Sequence, residues 1–260
     1  MNKIILSFLV LAVTLSCKEE NKKEVIEEEV MVEEQTSYEP ELSINPISHA
    51  TFSMEWDGTV FYVDPVGGAQ AFEGMKNPNI QLVTDIHGDH MNAETLKATQ
   101  GNATLISPQA VADKLGDDFE PIILNNGEVK TIQDFTITSI PMYNLTEERL
   151  KFHEKGRGNG YVIEKNGYRV YISGDTEDIP EMRNLENINK AIVCMNLPYT
   201  MDIEQAANAV LQFQPQEVIP YHYRGTDGYQ DVEKFKKSIE EVNSDIKVSL
   251  MEWYPNRDNG

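Results

Sequence analysis

The sequence predicts a single α/β domain built as an αββα sandwich, in which two sheets pack face to face between outer helices. Short apolar runs typical of buried strands alternate along the chain with stretches of helical periodicity. The order of strands followed by a helix occurs twice along the chain, a weak repetition that is typical of such a sandwich. Residues 44–260 have the length of one domain with a sizeable core, and no repeat of fixed short period divides them.

Residues 1–17 are not part of this domain. Lys3 precedes an apolar run at residues 4–15 that is too short to span a bilayer well, and Cys17 closes it. The segment resembles a bacterial lipoprotein signal, although Thr14 stands where leucine is usual; an ordinary cleaved signal peptide is the alternative. The resemblance implies export and a lipid anchor at Cys17 in the outer membrane, on its periplasmic or cell-surface side.

Residues 18–43 are rich in glutamate and poor in aromatic side chains. A segment of this composition cannot bury enough apolar surface to order itself. We therefore expect a disordered acidic linker that tethers the domain to the membrane.

The composition argues against two classes of protein. The formal net charge is −21 and no basic stripe is evident, whereas a nonspecific nucleic-acid binder needs clustered cations to release counterions. After Cys17 the only cysteine is Cys194, so the domain is not held by an internal disulfide. Cys194 lies in the apolar run 191–195 and is predicted to be a buried strand residue rather than a nucleophile.

The individual elements follow from local patterns. Asp57-Gly58 and Asn166-Gly167 each separate two strand-like runs and predict hairpins. Pro108 predicts a helix start, and Asp202 predicts the cap of a helix with one apolar face. The predicted strands lie at residues 47–56, 59–65, 80–83, 103–107, 122–124, 129–132, 135–140, 161–165, 168–173, 191–195, 217–222 and 246–251. One predicted helix starts at residue 92, and three others lie at residues 108–115, 202–213 and 231–242.

Residues 84–92 carry the strongest functional signal. They leave the predicted strand 80–83 and lead into the helix that starts at residue 92, so a rigid frame holds their side chains. The side chains that can bind a metal are Asp85, His87, Asp89 and His90. Carboxylate and imidazole together suit zinc, manganese or iron. A solvated polar loop that caps the helix is the alternative.

This stretch resembles the H-x-H-x-D-H signature of the metallo-β-lactamase superfamily, with Asp85 in place of the first histidine. Residues 173–176, Ser-Gly-Asp-Thr, resemble the strand end whose aspartate bridges two metals in that superfamily. His49 and, later, Asp64 before a proline resemble the opening of its ascorbate-lactonase-like (UlaG-like) branch. The resemblance implies a single-domain metallo-β-lactamase fold over residues 44–260.

The resemblance also implies a ligand set. One metal would be held by Asp85, His87 and His153, a second by Asp89, His90 and His222, and Asp175 would bridge them. His153 is included because it is the only histidine in the region of the third ligand. Asp89 and Asp175 are the catalytic candidates, Asp89 by orienting the nucleophile, and Asp64 is expected to support a ligand imidazole. For Asp175 alone, a helix cap is the alternative.

The predicted cofactor is one or two divalent ions, zinc first, with manganese or iron as alternatives. An aspartate at position 85 puts an anionic oxygen where a neutral nitrogen is usual, which favours harder ions such as manganese. A weak first site, with an enzyme that works on one metal, is an equal interpretation of Asp85.

The candidate substrate contacts are His49, Lys155, Arg157 and Arg224. Gly156, Gly158 and Gly160 predict a loop whose backbone can approach a ligand closely, and the neighbouring cations suit a phosphate or carboxylate. A plain flexible surface loop is the alternative for this segment, and a hydrogen-bonded structural histidine is the alternative for His49.

These features predict a metal-dependent hydrolase that cleaves an ester-like bond, a lactone or a phosphodiester, in a small anionic substrate. A metal lowers the pKa of a bound water from ~15.7 towards ~7, which gives hydroxide at neutral pH. A β-lactam substrate is not expected in this branch. The alternative is a non-catalytic metal- or ligand-binding lipoprotein on the same scaffold, and the oligomeric state stays open.

Overall fold

The computed structural model describes residues 38–254. The predicted signal peptide, the anchor at Cys17 and most of the predicted linker lie outside these residues. The first strand begins at Leu42, and Trp56 donates a hydrogen bond of 2.9 Å to the hydroxyl of Tyr38. The folded part therefore starts several residues before the predicted boundary at residue 44. None of the helices in the described range is long and apolar enough to cross a membrane.

One sheet has six strands in the order β1-β2-β3-β4-β5-β6. The strands are β1 (Leu42–Ser48), β2 (Thr51–Trp56), β3 (Thr59–Val63), β4 (Ile80–Leu82), β5 (Thr104–Ser107) and β6 (Ile122–Ile123). The first three pair antiparallel, and β3 to β6 run parallel. The hairpin predicted at Asp57-Gly58 is the turn between β2 and β3.

A second sheet has seven strands in the order β15-β12-β11-β10-β9-β8-β7. They are β7 (Val129–Ile132), β8 (Phe135–Met142), β9 (Gly158–Lys165), β10 (Tyr168–Ile172), β11 (Lys190–Cys194), β12 (Glu217–Tyr221) and β15 (Lys247–Val248). Strands β10, β11, β12 and β15 are parallel. A small antiparallel pair, β13 (Arg224–Gly225) and β14 (Gly228–Tyr229), follows β12.

Helices cover the outer faces of the two sheets. They are α1 (Ala93–Gln100), α2 (Gln109–Leu115), α3 (Pro180–Arg183), α4 (Ile203–Phe213) and α5 (Val232–Glu240). Neighbouring residues on β5 show the layering, because successive strand side chains point to opposite faces. Leu105 packs with α1 and α2, whereas Ile106 joins the main core. The predicted αββα sandwich is confirmed.

Aromatic side chains from both sheets meet in that core. The ring of Phe135 lies edge-on to Phe61 and Trp56, with ring centroids 5.0 and 5.2 Å apart. On the outer face of the second sheet, Phe213 of α4 packs against Tyr171. Cys194 is fully buried, and burial raises the pKa of its thiol to about 12, as expected of a strand residue rather than a nucleophile.

The glycines at 158 and 160 lie in β9, so the predicted glycine loop is wrong at these positions. A Cβ on Gly160 would come within 2.8 Å of the carbonyl oxygens of both Ile172 and Ser173. A Cβ on Gly158 would meet the carbonyl oxygen of Thr84 at 3.0 Å. These glycines let β9 approach neighbouring backbone, so they serve packing and not ligand contact.

Gly160→Ala is expected to lower the free energy of unfolding by about 1–3 kcal/mol, because backbone must move to admit the methyl group. Gly88→Ala is the matched control. Its Cβ would meet no atom within 4 Å, so we expect a change within about 0.5 kcal/mol. Urea unfolding of both variants measures the difference, and equal stabilities would contradict the packing role of Gly160.

Candidate metal centre

The predicted metal ligands converge at one edge of the sandwich, on the loops that leave the carboxyl ends of parallel strands. Residues 85–90 follow β4, Asp175 follows β10 and His222 follows β12, while His153 lies between β8 and β9. Strands β10 and β12 run parallel in one sheet, so their carboxyl ends lie at the same edge of it. The packing of the two sheets brings the end of β4 to the same place, and ligands distant in the sequence come together there.

His90, Asp175 and His222 form a group that we call the buried triad, since their side chains are at most 4% exposed. Asp175 Oδ2 lies 3.4 Å from His90 Nε2, and Asp175 Oδ1 lies 3.3 Å from His222 Nε2. The two imidazole Nε2 atoms are 3.2 Å apart. The two imidazole nitrogens and the Asp175 carboxylate thus face one small space.

Asp64 and Thr84 fix the orientation of His90. Asp64 Oδ2 lies 2.8 Å from His90 Nδ1, and it accepts a 2.7 Å hydrogen bond from the Thr84 hydroxyl. The Thr84 backbone N–H donates to the other oxygen of Asp64 at 2.7 Å. With Nδ1 held by a carboxylate, Nε2 is left free to act as a metal ligand.

Asp85, His87 and His153 form a second group, the outer triad. Asp85 Oδ2 lies 2.7 Å from His87 Nδ1 and 3.8 Å from His153 Nε2. His153 Nε2 is also 3.4 Å from Asp175 Oδ2. Asp175 therefore touches both triads, the position that a bridging carboxylate requires.

Asp89 is turned towards His49. Its Oδ2 atom lies 3.4 Å from His49 Nε2 and 3.5 Å from His222 Nε2. His49 Nδ1 in turn lies 2.7 Å from the hydroxyl of Tyr254. The donors around Asp89 are thus His49 and His222, and not the predicted pair His90 and His222.

The three cationic side chains predicted to contact substrate lie in different surroundings. Arg157 lies on Asp85, with Nε 3.2 Å from Oδ1 and Nη2 3.1 Å from Oδ2, so its guanidinium is already engaged. Lys155 pairs with Glu181 at 3.0 Å on the surface and does not line the cavity beside the triads. The structure thus places Lys155 away from the cavity, beside a partner on α3 that local sequence does not reveal. Arg224 lines the cavity.

The cavity above the triads has a volume of about 440 Å³. Asp89, Asp175 and His49 line it, and so do Phe152 and Tyr199, whose ring centroids are 5.0 Å apart. Sequence reasoning missed Asn196, which follows β11 at the same edge and could have been found by its position. Tyr254 is far from His49 in the sequence, and no local signal indicates it.

The donor spacing fits a metal ion. Ligand atoms around a tetrahedral ion with bonds of about 2.0–2.1 Å lie about 3.3–3.4 Å apart. The Nε2 atoms of His90 and His222 are 3.2 Å apart, and each lies 3.3–3.4 Å from a different oxygen of the Asp175 carboxylate. Asp175 Oδ1 is also buried with no hydrogen-bond partner in the described residues. A buried acceptor of this kind is explained by a bound cation.

The charges at the centre also favour a cation. Burial opposes ionisation of Asp175, yet the imidazoles of His222 and His90 hold the pKa of its carboxyl well below its ordinary value. Burial lowers the pKa of His90, but Asp175 and Asp64 outweigh it and raise this pKa well above its ordinary value. The Asp175 carboxylate thus stays ionised and favours a proton on His90, which a metal would displace on binding.

Three residues of the centre are among the eight non-glycine residues of the described chain that have a positive φ. His49, Asp64 and His222 have φ values of 57°, 46° and 48°, in the left-handed region. A non-glycine residue there costs about 1–3 kcal/mol, and such residues cluster at functional sites. The fold therefore holds three residues of the centre in conformations that they would not adopt on their own.

A comparison of the chain with known families finds one matching model. Residues 43–222 match the model described as a beta-lactamase superfamily domain. A UPF0173 metal-dependent hydrolase of Methanopyrus kandleri is 30% identical over 224 residues, which cover 81% of this chain and 97% of that protein. One from Archaeoglobus fulgidus is 27% identical over 223 residues, covering 81% and 96%.

Solved structures are similar as well. A protein from Parabacteroides distasonis, described provisionally as a metal-dependent hydrolase, is 34% identical with a TM-score of 0.75, over 83% of this chain and 94% of that one. A metallo hydrolase from Ignicoccus hospitalis is 26% identical with a TM-score of 0.70, over 81% and 95%. None of these descriptions mentions an ascorbate lactone. The resemblance to the ascorbate-lactonase-like branch therefore stays a prediction.

Metal content tests the centre directly. Full-length protein supplemented with zinc is expected to retain one to two equivalents, whereas His90→Ala combined with His222→Ala removes two of the three donor residues of the buried triad and most of the metal. Lys155→Ala, which changes a residue outside the cavity, is the control and should bind as the wild type does. Elemental analysis after gel filtration gives the stoichiometry. Wild-type protein with less than about a tenth of an equivalent would refute the centre.

Proposed function

The chain belongs to the metallo-β-lactamase superfamily and, within it, to the UPF0173 metal-dependent hydrolases, and we propose that it cleaves an ester-like bond in a small anionic substrate. The observation that carries this proposal is the position of Asp175. Its carboxylate belongs to the buried triad, lies 3.4 Å from His153 of the outer triad and lines the cavity. Metal donors and a substrate-sized space therefore share one carboxylate.

The residues present fit a divalent ion of the zinc, manganese or iron type, because imidazole and carboxylate donors suit these ions. The buried triad would hold one ion, and the outer triad with Asp175 would hold another. When bound, such an ion lowers the pKa of water and polarises the oxygen of the scissile group.

Asp89 has the geometry to orient the attacking water. Its carboxylate faces the cavity and is about two-fifths exposed, at 42%. Burial opposes its ionisation, but hydrogen bonds from His222 and His49 hold the pKa of Asp89 far below its ordinary value, so it remains an acceptor at neutral pH. A carboxylate in this position accepts a hydrogen bond from the water and so directs the lone pair of the water oxygen at the substrate.

His49 supports Asp89. Burial lowers the pKa of His49 to about 4, so the imidazole is neutral at pH 7 and carries one N–H. The hydroxyl of Tyr254 contacts His49 Nδ1. With Nδ1 engaged by this hydroxyl, the hydrogen of the neutral ring is at Nε2, which faces Asp89. The predicted substrate contact at His49 remains open, because the ring also lines the cavity.

Arg224 supports an anionic substrate. It is the one lysine or arginine that lines the cavity within residues 38–254, since Arg157 is held by Asp85 and Lys155 by Glu181. An arginine binds carboxylate or phosphate through paired N–H donors. The net charge of −21 repels anions at long range, so recognition must depend on this local contact.

Lactones and phosphodiesters both meet these requirements, and a screen decides between them. The zinc-loaded chain is expected to hydrolyse bis(p-nitrophenyl) phosphate or a carboxylated lactone, and Asp89→Asn should lower kcat by about 10²–10⁴-fold. Arg224→Gln should lower kcat/KM about 10–100-fold for the anionic substrate, the loss of a charged hydrogen bond, and leave a neutral p-nitrophenyl ester unaffected.

Lys155→Gln is the matched control for Arg224→Gln, because it removes a cation that does not line the cavity. It should leave both rates unchanged. If zinc-loaded protein shows no metal-dependent turnover of any phosphodiester, lactone or ester in the screen, the hydrolase proposal is wrong. The non-catalytic binding protein on the same scaffold is then the better description.

A further inference from the structure

The outer triad is in direct contact with a cation of the protein itself, the guanidinium of Arg157. Arg157 places Nε and Nη2 against the two oxygens of Asp85, and its Nη2 atom lies 3.4 Å from His87 Nε2. The carbonyl oxygen of Phe152 accepts a further hydrogen bond from the same Nη2. The Asp85 side chain is fully buried and that of Arg157 is 17% exposed. The guanidinium is therefore a fixed part of this half of the centre.

The buried triad has no such cation. Within residues 38–254, the ion pairs of His90, Asp175 and His222 run only to histidine and aspartate side chains. The two halves thus offer similar donors, but only the outer half has a fixed cation against its carboxylate.

Arg157 and a metal ion would compete for the same oxygen. Asp85 Oδ2, which faces His87 Nδ1 at 2.7 Å, is also 3.1 Å from Arg157 Nη2. A guanidinium stays charged at every physiological pH. Two cations that share one buried carboxylate repel strongly, because little solvent lies between them to screen the charges.

We propose that Arg157 makes the two halves of the centre unequal, so that the buried triad binds the first divalent ion tightly and the outer triad binds a second ion much more weakly. This inference rests on the proposed function, in which the centre binds divalent ions. Arg157 acts through Asp85, so it is a positioning residue that sets metal occupancy and not the substrate contact that the sequence predicts.

The opposite outcome also has a physical basis. Asp85 and Arg157 together carry no net charge, like the neutral imidazole usual at this position in the superfamily. If only the summed charge mattered, the second ion would bind as well as the first. The wild-type titration separates the two accounts, because only competition predicts that the second ion binds more weakly than the first. Removing the charge of Arg157 then tests whether that residue is the cause of the difference.

The test is a zinc titration of the full-length chain against a chromophoric chelator. Wild type is expected to bind one zinc tightly and a second at least about 100-fold more weakly. Arg157→Met should tighten the second step by about 10–100-fold, the range seen when outer partners of metal ligands change, and leave the first step unchanged. Arg157→Lys keeps the charge and should behave as wild type.

Arg157→Gln is a second neutral variant that can keep a hydrogen bond to Asp85, and near-ultraviolet circular dichroism of each variant checks the fold. It is expected to match Arg157→Met. Two equal zinc steps in wild type, or an unchanged or weaker second step in a folded neutral variant, would overturn the inference while leaving the hydrolase proposal intact. Absence of any zinc binding in wild type would overturn both.

Discussion

The centre depends on the burial of Asp175. Its side chain is 4% exposed, and its Oδ1 atom has no hydrogen-bond partner among residues 38–254. An unpaired carboxylate in such a place costs several kcal/mol, so it persists only where positive charge surrounds it. The sandwich meets this constraint by delivering His90, His153 and His222 from three different strand ends to within 3.3–3.4 Å of one aspartate. A proton on His90, or a metal ion held by these donors, supplies the compensating charge.

The loop that carries His153 needs its own support, because it is long and has little regular structure. Glu177, two residues after Asp175, has a fully buried side chain and accepts 2.6 Å hydrogen bonds from the backbone N–H groups of residues 145 and 146 and from Arg149. Asn144 lies 3.2 Å from His153 Nδ1 and donates to the carbonyl oxygen of Tyr199 at 2.7 Å. One carboxylate thus joins the ligand loop to the strand end that bears Asp175.

Most strands, the helix caps and the set of clustered residues could be predicted from the sequence, because each depends on local pattern. The pair β13 and β14 is not predicted, and the single strand expected at residues 47–56 is the end of β1, a turn and β2. Asn92 and Asp202 cap their helices as expected, and the ligands after β10 and β12 lie together because these parallel strands end at one edge of their sheet. The contacts between side chains could not be predicted. Arg157 and Asp85 lie 72 positions apart, and His49 and Tyr254 lie 205 apart, so only the register of distant strands brings them together. Gly158 and Gly160 carry the local signal of a loop, and pairing with β8 places them in a strand.

The most direct test of the central claim is a crystal structure of the full-length protein with one equivalent of zinc, measured at the zinc absorption edge. The account predicts one anomalous peak within bonding distance of His90 Nε2, His222 Nε2 and a carboxylate oxygen of Asp175, about 2.0–2.2 Å from each. A peak at Asp85, His87 and His153 with the buried triad empty, or zinc bound only outside this edge of the sandwich, would contradict it.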